Sequence, residues 1–122
     1  YYKGQDTSEL SDAGLMQRSQ ALSLSAQVAY AQGNVSGAHK LYREALEGTA
    51  EAIRRDPRDP QRLFDHAQNV FYVAQIDAGQ GRLVEAERAF REYQALANRM
   101  IALEPDNLKW RMEVQYSEAN LG

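Results

Sequence analysis

The chain contains no cysteine, only three prolines, one tryptophan and two histidines. Without thiols there is no disulfide staple and no thiolate metal centre. The compartment stays open on that ground, because a periplasmic helical-repeat protein can lack cysteine as readily as a cytoplasmic one; the cytoplasm is favoured. Long apolar runs are missing too. No stretch approaches the roughly 18 residues a membrane-crossing helix needs, and no apolar secretory core follows Tyr1-Tyr2-Lys3-Gly4. Excess positive charge is also absent: the net charge is −3, with both signs interspersed, which argues against a nucleic-acid footprint. The sequence carries no glycine-rich phosphate loop, serine elbow, zinc-protease helix or supported carboxylate pair. The expectation is a non-enzymatic chain with no cofactor, no metal, no nucleic-acid partner and no direct membrane insertion.

What is present is self-similarity at a spacing of 48 residues. Gly33 returns as Gly81, Ala38 as Ala86, Arg43-Glu44 as Arg91-Glu92, Ile53 as Ile101 and Pro57 as Pro105; upstream, Gln20 returns as Gln68 and Ala26-Gln27 as Ala74-Gln75. Fixed periods between 20 and 50 residues mark stacked repeats. The prolines punctuate the joints. Asp59-Pro60 predicts a helix start, with Asp59 as the cap and Pro60 in the first turn, where its missing N–H has no intrahelical partner. Gly33 and Gly81 permit the left-handed turn that ends a helix. Ser11 is the expected cap of the first helix.

Between joints, apolar residues recur at intervals of three and four. Leu83, Ala86, Phe90, Tyr93, Leu96, Met100 and Leu103 make one such stripe, and Leu63, Ala67, Val70, Phe71 and Ala74 another. Five helices are expected, at about 11–32, 36–55, 60–79, 83–103 and 107–122, with no sheet. Gly48, in a helix interior, predicts close packing against a neighbouring helix. Trp110, Met100 and Met112 are expected in the core.

Ala26, Gly33, Ala38-x-x-x-Tyr42 and Ala45, with Ala74, Gly81, Ala86-x-x-x-Phe90 and Tyr93 in the second copy and Leu121-Gly122 opening a third, resemble the tetratricopeptide repeat. The resemblance implies an all-α, right-handed superhelix of antiparallel helical hairpins. It divides the chain into a leader or end of a preceding element (1–10) and repeat units at about 11–57, 59–105 and 107–122. The usual unit has 34 residues. Here Pro57 and Pro105 fall seven residues late, which lengthens each helix by about two turns, to roughly 30 Å. Such long units look like those of bacterial multidomain signalling proteins, so the chain is expected to be a fragment of a longer array.

The resemblance further implies a protein–protein interaction module, binding a peptide or protein on the concave face. Self-association and contact with another domain of the same polypeptide are further possibilities. The alternative is a regulatory or sensor segment of a larger signalling enzyme or transcription regulator whose active domain lies outside this chain. Projected onto this sequence, the concave face carries Gln20, Ser23, Gln27 and Tyr30, then Gln68, Phe71 and Gln75, and finally Tyr116. No cation stands among them, which excludes a carboxylate clamp and leaves a neutral, amide-rich groove. His39 and His66 lie on different helices without ligands at metal spacing, and a surface or hydrogen-bonded structural role is expected for both. Charges such as Arg43, Glu47, Glu85, Arg88 and Arg91 read as a solvated outer face.

Overall fold

A computed structural model describes residues 7–121, with side chains described through residue 116. After a short 3-10 turn at Thr7–Glu9, five helices follow: α1 Asp12–Ala31, α2 Val35–Arg55, α3 Pro60–Gly79, α4 Leu83–Leu103 and α5 Leu108–Leu121. The described residues contain no strand. Helices α1 to α4 have 20 or 21 residues each, the length expected from the displaced prolines. The expected leader over 1–10 and the third-repeat glycine at 122 lie partly or wholly outside the described residues.

The joints carry the expected chemistry. The Ser11 hydroxyl accepts from the Gly14 N–H at 3.0 Å, and Asp59 accepts from the Gln61 N–H at 2.9 Å. Asn34 accepts from the Gly37 N–H at 3.0 Å; a β-carbon on Gly37 would collide with that capping amide. Gly33 and Gly81 have φ of 82° and 81°. In both turns the glycine N–H and the next N–H bond back to carbonyls of the final helical turn: Gly33 to Tyr30 and Asn34 to Ala29, then Gly81 to Ala78 and Arg82 to Asp77. This paired closure satisfies carbonyls that a helix end otherwise leaves open. The two turns match bond for bond at the repeat spacing.

Each helix packs on the next in sequence, α1 on α2, α2 on α3, α3 on α4 and α4 on α5. Two cores result. Ala26, Ala29, Ala38, Tyr42, Val73 and Ile76 form one. Leu63, Val70, Phe71, Tyr93, Met100 and Trp110 lead the other. Gly48 meets Ser19 of α1 so closely that a β-carbon would strike the Ser19 hydroxyl, as a close-packing glycine should.

Two core expectations are corrected. Met112 is 67 % exposed and Leu83 68 % exposed. Two helical positions turn a side chain by about 200°, so the burial of Trp110 against α4 directs Met112 outward. Leu83 sits at the first position of α4, ahead of the turn at which the helix meets α3. Trp110 and Met100 are buried as expected.

Replacing Gly33 or Gly81 by Ala forces an L-residue into a left-handed conformation, which costs about 1–2 kcal/mol. Urea unfolding of each variant should show a loss of that size. An unchanged midpoint would contradict the left-handed turn.

Candidate functional site

A groove of about 440 Å³ runs between α1 and α3, with α2 as its floor. Its walls carry Gln20, Ser23 and Gln27 from α1 and Gln68 and Asn69 from α3, and its floor is Tyr42, Gly48, Thr49 and Ala52. Two ties cross it. At one end Arg62 of α3 pairs with Asp12 of α1 at 3.2 Å and donates to the Ala52 carbonyl at 2.9 Å. Further along, the Ser23 hydroxyl donates to the Asn69 side-chain oxygen at 2.9 Å.

The predicted concave residues therefore divide. Gln20, Ser23, Gln27 and Gln68 share this groove. Gln75 and Tyr30 are exposed but do not line it. Phe71 is a correction: it is 7 % exposed and fills the second core, with ring centroids 5.4 Å from Tyr93 and 5.3 Å from Tyr116. Burying a phenylalanine contributes about 2–3 kcal/mol, so folding takes precedence over ligand contact at this position. Tyr116, half exposed, covers Phe71 and meets Tyr93 edge-on. Gln68 also reaches Glu113 of α5, at 3.4 Å.

At the repeat spacing the groove residue Ser23 stands for the buried Phe71, so this wall carries a small polar side chain where the second unit carries a ring. Ala45 and Gly48, aligned with Tyr93 and Leu96, do not open the interior: Ala45 is fully buried, Gly48 is covered by Ser19, and the buried Arg18 donates to the Glu44 carbonyl beside them. Aligning the two units residue by residue is the signal that would have located the exchange at Ser23.

Sequence reasoning missed Asp65, which lines the groove. It accepts from the Gln61 side-chain amide at 2.9 Å, and burial raises its pKa above the ordinary carboxylate range. No described lysine or arginine forms an ion pair with it. Asp12 differs: hydrogen bonds from Arg55 and then Arg62 hold its carboxyl below that range. Ser19, in the groove wall, is 6 % exposed and its hydroxyl has no hydrogen-bond partner.

Both histidines are hydrogen-bonded between helices. His39 of α2 lies 3.0 Å from the buried Asp77 of α3, which also accepts from Arg82 at 2.7 Å. His66 of α3 lies 2.7 Å from the Thr49 hydroxyl of α2 and 3.5 Å from Glu92 of α4. Among the described residues no cluster of histidines and carboxylates is placed to hold a metal ion, and no helix is long and apolar enough to cross a membrane. Compared with protein-family models, curated proteins and solved structures, the chain finds no match in any of the three.

Two stability outcomes follow. Ser19→Ala removes an unsatisfied buried hydroxyl and installs the residue found at the equivalent Ala67; thermal or urea unfolding should show a gain of about 1 kcal/mol. For Asp65, a folded-state pKa raised above 3.8 stabilises the fold fully only below that value. The contribution is lost as pH rises through the folded pKa, leaving the ionised carboxylate a net cost at neutrality. Asp65→Asn should thus be more stable than the parent at pH 7, with the difference shrinking on acidification toward pH ~4. A difference that widens would contradict the raised pKa.

Proposed function

We propose that the chain is a protein–protein interaction module of tetratricopeptide type, a right-handed superhelix of helical hairpins that binds a peptide segment along the α1/α3 groove. The observation that carries this reading is the groove itself: Gln20 and Gln27 on one wall and Gln68 on the other lie above an apolar floor. Side-chain amides both donate and accept, so glutamines on two facing walls suit the alternating N–H and C=O groups of an extended backbone. Apolar concavities with a few convergent polar groups are where ligands usually bind. The matching turns at Gly33 and Gly81 support a repeated hairpin, and stacked repeats characteristically use such extended surfaces for binding.

The opposite side of the molecule suits the reading as well. Arg91 and Glu87 are both more than three-fifths exposed and pair only with each other, at 3.2 Å. Such surface pairs contribute a few tenths of a kcal/mol and require no ligand.

A photoactivatable residue in place of Gln27 should cross-link a bound peptide segment, and the same residue in place of Arg91 should not. Mass spectrometry of the adducts reads both. Cross-linking from position 91 alone would move the site to the outer face and overturn the proposal.

A further inference from the structure

Helix α1 is uncharged almost all the way round. After Asp12 its one charged residue is Arg18, which is 2 % exposed and turns its guanidinium inward to the Glu44 carbonyl and to Glu47. Everything α1 shows to solvent beyond its first residue is therefore neutral, and Met16, Leu24, Val28 and Tyr30 are each more than half exposed. The other described helices with an open face put charge there: Lys40 and Arg43 on α2, Glu87 and Arg91 on α4, Lys109 and Arg111 on α5. A helix without a charged side belongs to an interior or an interface. Loss of charge is also what marks the centre of a contact between proteins.

The repeat shows which part of that surface is shaped for a helix. Ala21, Leu24, Ser25 and Val28 of α1 are exposed. Their equivalents one period on, Asn69, Tyr72, Val73 and Ile76 of α3, are wholly or partly buried against the first hairpin. Each residue advances a helix by about 100°, so this strip stands about a quarter turn from the wall that carries Gln20 and Gln27. Leu24 lies on the rim that strip and groove share. The relief of the strip is regular. Leu24 and Val28 make a raised row at a spacing of four, and Ala21 and Ser25 make a low row beside it.

We infer that two copies of the chain associate back to back through α1, with the Leu24–Val28 row of each lying over the Ala21–Ser25 row of the other. A two-fold axis running between the rows brings large over small on both sides, and rows of this spacing interdigitate when the helices cross at about 50°. The occupant is a second copy because the face matches itself. Two neutral strips come together without stranding an ion in the contact, whereas the open faces of α2, α4 and α5 all carry charge. A contact that uses one surface twice closes on itself and stops at two copies. Two crossing helices make a contact at the small end of specific interfaces, on the order of 1,000 Å² in total, so the pair dissociates on dilution. The inference is independent of the peptide reading, and both grooves stay accessible in the pair.

Sedimentation equilibrium of the intact chain over about 1 to 100 µM tests this. The average mass should rise from one chain toward two and go no further. Val28→Glu places an unpaired carboxylate in the contact and should weaken association about a hundredfold or more. Its circular dichroism should match the parent's, because Val28 is exposed in the single chain. Ala21→Glu should behave alike, and Arg91→Glu, on the charged outer face, should leave the mass curve unchanged. A parent of one-chain mass throughout overturns the inference, as do Val28→Glu and Ala21→Glu variants that still pair. Growth past two copies also overturns it, since that requires a head-to-tail contact. Cross-linking of peptide from position 27 reads the groove separately, so failure of the pair and failure of the interaction module are told apart.

Discussion

Helix α3 is covered from two sides, and that burial organises the described chain. Between Arg62 and Asp77 only Gln75 is exposed. The stretch from Leu63 to Phe71 feeds the core shared with α4 and α5, and Val73 and Ile76 feed the core shared with α1 and α2. A helix apolar around most of its girth is unstable alone in water and must be enclosed. The enclosure comes from one hairpin on each flank, so neither hairpin has a complete interior without its neighbour. Polar groups on α3 follow the same rule. His66, Asn69 and Asp77 are all buried, and each is hydrogen-bonded to a residue outside α3, which avoids the penalty of burying unpaired polar atoms.

Repetition sets the frame, and substitution within it distinguishes the two units. The same helix lengths and the same closures recur, yet where the second unit packs Phe71 against Tyr93, the first places Ser23 in a groove that the stacked rings of Tyr42 and Tyr72 also line. The price is visible in the unsatisfied Ser19 hydroxyl and the partly buried Asp65, two local compromises that gather at one place. Compromises of that kind tend to collect where a protein binds.

The helices and their joints were legible because they depend on local rules. Caps at Ser11 and Asp59, the glycine turns at 33 and 81 and the close approach at Gly48 all follow from nearby residues and sterics. The site was half legible. Gln20, Ser23, Gln27 and Gln68 fall in the groove, but Phe71 does not, because a family pattern specifies which face a position occupies and says nothing of whether a neighbour covers it. Here Tyr116 from α5 covers it. Asp65 escaped notice because a lone carboxylate carries no motif, and its place in the groove and its burial appear only in three dimensions. Met112 and Leu83 show the same limit: a periodic stripe continues past the end of the surface it packs against.

The Asp77 carboxylate, gripped by His39 from the preceding hairpin and by Arg82 at the following turn, bears on how freely the two hairpins can move against one another. Rocking one hairpin against the other would strip a nearly water-free anion of its contacts, a movement far costlier than rotating a surface side chain. Arg62 and Ser23 fasten the other flank. The hydrogen bonds and ion pairs on both flanks thus tie neighbouring hairpins to one another through buried polar contacts set during folding.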